Sequence, residues 1–108
     1  MYMRTIRQIA DEFGLSLRTL RYYEQRGLIQ SKRFSSDKSL RMYDDEDRAR
    51  VAQVVRWVRM GFMLSEIEND AIDVHKLRAQ LQYIYDRMAE LETAALLIKE
   101  EIRSKSHS

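Results

Sequence analysis

The chain contains neither cysteine nor proline, and only two histidines, His75 and His107. Without cysteine there is no disulfide framework, no thiolate nucleophile and no sulfur ligand for zinc, copper or an iron–sulfur cluster. Two histidines are too few to build a histidine metal site within one chain. No window approaches the roughly 18 consecutive apolar residues of a membrane span, and the amino-terminal stretch lacks a signal-peptide core. A cytoplasmic protein with no cofactor and no membrane partner is expected. What remains is one domain's worth of ordinary globular sequence: 108 residues, 44% hydrophobic and 33% charged.

The net charge of +2 conceals an asymmetry. Residues 1–43 carry nine Lys/Arg against four Asp/Glu, whereas residues 44–108 carry ten against thirteen. A basic front half on a nearly neutral chain is the footprint of a nucleic-acid surface, although scattered solvated charges give a similar count.

Ile6, Ile9, Ala10 and Phe13 form the apolar stripe of a short helix with Thr5 as its cap and Gly14 at its end. Ser16 caps a second helix, which turns Leu17, Leu20 and either Tyr23 or Glu24 inward and closes at Gly27. Two short helices joined by a glycine-containing turn make a helix-turn-helix, here residues 5–27. On the second helix Arg18, Arg21, Tyr22 and Gln25 share the face opposite the leucines. Two guanidiniums, a phenol and an amide on a helix that fits the major groove can pair with guanine edges or phosphates. Residues 28–43 read as two strands around the turn Ser35–Lys38, with Leu40 and Met42 on one face and Arg41 and Tyr43 on the other. Lys32, Arg33, Lys38 and Arg41 would then reach a sugar–phosphate backbone.

Asp44, Asp45, Glu46 and Asp47 open a third helix, where carboxylates suit the positive end of the macrodipole better than they suit a metal or catalytic site. Val51, Val54, Val55 and Val58 form its inward stripe, Gly61 ends it, and a short helix through Leu64, Ile67 and Ala71 completes a helix pair over 44–71. From Asp73 the period changes. Val74, Leu77, Leu81, Ile84, Met88, Leu91, Ala95, Ile98 and Ile102 alternate spacings of three and four, the a/d seam of a coiled coil over residues 73–104. Such a helix is roughly 43 Å long, too long to bury its stripe on a domain of this size, so the seam predicts a second copy. Residues 105–108 have no apolar anchor and are expected to be a disordered tail.

The strings Thr19–Glu24 with Gly27 and Leu28, Arg41 with Tyr43, and Gly61–Ile67 together resemble the amino-terminal domain of MerR-type transcription regulators, in a short form without a carboxy-terminal effector domain. The resemblance implies a mainly α fold. A winged helix-turn-helix DNA-binding domain (1–72) with a small β-hairpin wing is followed by a long carboxy-terminal coiled-coil dimerisation helix. It implies a homodimer with antiparallel carboxy-terminal helices, bound to double-stranded promoter DNA that it distorts, with RNA polymerase as a further candidate partner. On that similarity Ser16, Arg18, Thr19, Arg21, Tyr22, Lys38, Arg41 and Tyr43 lie at the DNA or secure the wing. Leu77, Leu81, Ile84, Met88, Leu91, Ala95 and Ile98 form the dimer interface. Met63 stands where family members often carry a capping serine or threonine. Two other classes compete: an architectural or excisionase-like DNA-bending factor, and a protein-interaction adaptor on the same fold. No nucleophile, base and oxyanion arrangement of an enzyme is legible.

Overall fold

Thr5 opens the first helix through a reciprocal cap. Its hydroxyl accepts from the backbone N–H of Gln8 at 3.2 Å, and the Gln8 side chain accepts from the backbone N–H of Thr5 at 2.8 Å. The helix, α1 (Ile6–Phe13), buries Ile9 and Ala10 and stops at Gly14, whose φ of 65° is costly for any residue with a β-carbon. Ser16 caps α2 (Leu17–Gln25) by accepting from the Thr19 N–H at 3.0 Å, and α2 turns Leu20 and Tyr23 into the core. The computed structural model describes residues 2–34, 37–69 and 72–106; the side chains of residues 34 and 37–39 lie outside that description.

The wing differs from the expected two-stranded hairpin over 28–43. Three antiparallel strands form a sheet in the order β1 (Arg4–Thr5), β3 (Asp37–Tyr43), β2 (Lys32–Phe34). Arg4 pairs with Tyr43 and Thr5 with Met42, so the chain's start fastens the base of the wing. Leu28 and Ile29 are not strand residues but core, 2% and 1% exposed. Both are apolar with no polar alternation, and burial on all sides suits them better than a half-wet sheet. Of the expected turn, Asp37 and Lys38 are strand backbone, and Ser35 and Ser36 lie outside the described residues. Pairing shifts between Arg33, opposite Arg41, and Phe34, opposite Asp37.

Asp44 caps α3 (Asp45–Arg59) in a second reciprocal box, accepting from the Asp47 N–H at 2.8 Å while Asp47 accepts from the Asp44 N–H at 3.1 Å. The acidic run is cap and dipole chemistry, as expected. Val51, Val54 and Val55 are buried, whereas Val58 is only half-buried. Gly61, at φ 94°, reverses the chain so that Phe62 folds back into the core. α4 (Leu64–Glu68) then buries Ile67. Its entry is closed by Glu66, whose carboxylate accepts from the Met63 N–H at 2.9 Å. A cap by the side chain three residues on answers the missing serine or threonine at Met63. Ala71 lies outside the described residues.

The chain divides into two compact units, Met1–Ala71 and Ile72–Ser108. The second is α5 (Val74–Ser106), 33 residues with none buried. Asp73 accepts from the Lys76 N–H at 2.9 Å, and that bond holds its carboxyl below the usual aspartate range. The expected tail is shorter than predicted: Lys105 and Ser106 are helical, with Lys105 3.8 Å from Glu101 and the Ser106 hydroxyl donating to the Ile102 carbonyl at 2.7 Å. These local bonds continue the helix without an apolar anchor. Residues 107 and 108 lie outside the description. No helix among the described residues is long and apolar enough to cross a membrane.

Candidate nucleic-acid interface

The basic residues of the front half separate into two groups. Arg4 pairs with Asp45 at 2.9 Å, Arg26 with Glu68, Arg41 with Glu24 at 2.8 Å, and Lys32 with Asp44 and Asp47 at 2.8 and 3.0 Å. The two carboxylates, Asp44 foremost, push the Lys32 ammonium up, and Lys32 in turn holds the Asp44 carboxyl down at about 2. By contrast Arg18 and Arg21 make no hydrogen bond or ion pair with any described residue. Both are exposed on α2 with Tyr22 and Gln25, opposite buried Leu20 and Tyr23. Structural ion pairs therefore hold Arg4, Arg26, Lys32 and Arg41 and leave the guanidiniums of α2, like that of exposed Arg7 on α1, available to an anion.

Ser16 and Thr19 sit at the amino end of α2, where the Ser16 hydroxyl caps the Thr19 N–H and also donates to the Thr19 hydroxyl at 2.9 Å. Tyr22 is 45% exposed, and its hydroxyl accepts from the Arg26 guanidinium at 2.9 Å. The side chain of Lys38 falls outside the described residues.

Two wing residues, which the resemblance casts as securing the wing and the basic hairpin as surface contacts, both turn inward. Tyr43 is 0% exposed, so it cannot touch DNA from this position; it is a core residue that seats the wing. Burial raises its phenol to about 12, helped by the nearby Glu24 charge. Its hydroxyl has no hydrogen-bond partner among the described residues, and the neighbouring Ser31 hydroxyl is already given to Glu24. Arg41, on the same strand face, is drawn inward to Glu24, with both side chains about one-fifth exposed. The outward face of β3 instead carries Leu40, 43% exposed. Period-two alternation identified the two faces correctly, but the apolar face is the wet one, because Glu24 on α2 supplies a partner for the arginine.

Between α2 and the wing lies an open cleft of about 410 Å³ lined by Arg21, Glu24, Gln25, Arg33 and Arg41. Three arginines against one carboxylate make it an anion-favouring depression beside the exposed face of α2. Gln25 and Arg33 were expected at the DNA-facing surface, whereas Glu24 was not. A single carboxylate inside the otherwise basic run of α2 was the available sign that one arginine would be held rather than free. Among the described residues no group of three or more histidine and carboxylate side chains is placed to hold a metal.

A two-helix unit presenting unpaired arginines, backed by a third helix and flanked by a small antiparallel wing, defines a winged helix-turn-helix protein. The model of the MerR helix-turn-helix regulatory protein family matches residues 4–69. The chain belongs to that family. It is 33% identical over 81 residues to the mercuric resistance operon regulatory protein of Bacillus cereus, covering 75% of this chain and 61% of that protein. The crystal structure of a MerR-family transcriptional regulator from Bacillus cereus is similar with a TM-score of 0.70 at 25% identity, covering 91% of this chain and 76% of that one. HiNmlR, a MerR family regulator lacking the sensor domain and solved bound to promoter DNA, shares the fold with a TM-score of 0.67 at 22% identity. There the coverage is 94% of this chain and 88% of that one. The chain spans less than two thirds of the length of the mercuric resistance regulator.

Proposed function

We propose that this chain is a dimeric, sequence-specific DNA-binding transcription regulator that engages and distorts promoter DNA. The observation that carries the reading is the pair Arg18 and Arg21, exposed on α2 and unpaired with described residues beside an arginine-lined cleft. In this reading α2 enters a major groove, Arg18 and Arg21 contact base edges or phosphates, and Tyr22 contacts the backbone. Ser16 and Thr19 bring the positive end of the helix against a phosphate. Arg41 acts by holding the wing against α2, so that helix and wing meet the duplex as one rigid piece. RNA polymerase is the partner that a promoter-bound regulator would meet.

The second copy is supported by α5. Leu77, Leu81, Met88, Leu91 and Ile98 are 40%, 49%, 57%, 55% and 59% exposed, and Ala95 is exposed with them. A row of such length left in water calls for a partner. An antiparallel second α5 sets every a position against a d position; one such register places Leu77 against Ile102, Leu81 against Ile98, Ile84 against Ala95, and Met88 against Leu91, with Val74 beyond the paired seam. The register one heptad away, with Val74 against Ile98 and Leu81 against Leu91, covers as many seam residues and leaves out Ile102 instead, so a cross-link decides between the two.

Genome-wide recovery of bound DNA, followed by titration of the recovered site at several salt concentrations, tests the function. Specific binding whose affinity falls steeply with salt is expected; indifference to sequence would replace the regulator with an architectural protein. Altered end-to-end distance of a doubly labelled operator on binding reads the distortion directly.

A further inference from the structure

The carboxy-terminal end of α2 carries a cluster in which the pair Arg26 and Glu68 has no part in the steps above. Arg26, the residue that ends α2, directs its guanidinium two ways: Nε to the carboxylate of Glu68, the last residue of α4, and NH1 to the Tyr22 hydroxyl at 2.9 Å. The same guanidinium lies 5.6 Å from the centre of the Tyr22 ring. Arg26 and Glu68 are each about 30% exposed at the side chain, whereas Tyr22 stands further out at 45%. A planar guanidinium held at one edge by a carboxylate has its remaining donors fixed in direction. A phenol oxygen that accepts from such a cation has its own proton turned away from the donor. Here that leaves the Tyr22 O–H free to donate outward from the exposed face of α2.

We infer that Arg26, braced by Glu68, is a positioning residue that holds Tyr22 as a hydrogen-bond donor to a DNA phosphate oxygen. The inference rests on the DNA-binding reading of α2, in which Tyr22 contacts the backbone, and adds a specific role: Arg26 acts through Tyr22 without touching DNA. It also ties α4 to the recognition helix by side chains 42 positions apart in sequence.

A mutant cycle tests it. Arg26→Met keeps the aliphatic stem and removes the donors, and Tyr22→Phe removes only the hydroxyl. Each should weaken operator binding by about fivefold, the scale of one hydrogen bond of this type, and the double variant should lose no more than either single one. The slope of log affinity against log salt should be unchanged in Arg26→Met. A slope reduced by about one would make Arg26 itself a phosphate contact and overturn the proposal. Additive losses, or full affinity in either variant, would overturn it as well. In the free full-length protein the Arg26 Nε–H resonance should be distinct and should shift in Glu68→Gln and in Tyr22→Phe. Insensitivity to both rules out the brace whatever the DNA results are. A wild-type chain that shows this resonance pattern but binds no specific DNA rules out the role at phosphate through the failure of the functional reading.

Discussion

Arg41 of the wing and Glu24 of α2 are joined at 2.8 Å, with the Ser31 hydroxyl donating to the same carboxylate. Three segments distant in sequence meet on one partly buried group. Removing it leaves a guanidinium and a hydroxyl without their acceptor, which costs more than the bond itself is worth. Glu24→Ala should therefore lower stability by about 1–3 kcal/mol and weaken DNA binding by freeing the wing. Denaturant unfolding and operator titration of the same variant check both. An undiminished affinity would separate the wing from recognition.

Arg21→Ala should cost about 1–3 kcal/mol of operator binding and leave thermal stability unchanged, since its guanidinium pairs with no described residue. Parallel melting curves and binding isotherms measure this. A drop in melting temperature would show that Arg21 has a structural partner.

Tyr43→Phe should leave DNA affinity intact and should not destabilise the protein, because a buried hydroxyl without a hydrogen-bond partner among the described residues contributes desolvation cost and no bond. Loss of DNA binding in this variant would restore Tyr43 as a contact residue.

The absence of cysteine makes the dimer register easy to read. Leu81→Cys with Ile98→Cys should give a covalently linked dimer under mild oxidation, and neither single variant should. The two positions lie about 25 Å apart along one helix, so they cannot bridge within it. Non-reducing gel migration and light scattering report the result. Aspartate at Ile84 and Leu91 should yield monomer and abolish tight binding to a two-half-site operator.

Acid stability should depend on Asp44. Its carboxyl is lowered from 3.8 to about 2 in the folded protein, by the Lys32 ammonium foremost and then by the Asp47 N–H. A depressed folded value means that the stabilisation is present above about 4 and is lost as the pH falls toward 2. Asp44→Asn should flatten the melting temperature over that window and leave the remaining loss to other carboxylates. Melting curves between pH 2 and 5 decide it; an unchanged slope would place the acid sensitivity elsewhere.

Features set by near neighbours were legible in the sequence. Thr5, Ser16 and Asp44 cap the helices they precede, and Gly14 and Gly61 end turns, because each acts within four residues of itself. The a/d spacing of α5 is likewise local. What escaped depends on partners far along the chain. Arg4 and Thr5 are too short a run to signal a strand, and they become one only because Tyr43 and Met42 lie alongside. Arg41 reads as a surface cation until Glu24, 17 positions earlier, draws it inward. Arg26 looked unremarkable for the same reason, with Glu68 supplied by another helix.

The bare seam of α5 has a dosage consequence. None of its 33 residues is buried, and in the proposed dimer a second molecule supplies the cover. The amount of assembled protein then rises with the square of the monomer concentration when the chain is scarce, and linearly only once it is abundant. On that reading expression level itself becomes a threshold signal, steeper than a monomeric binder could give.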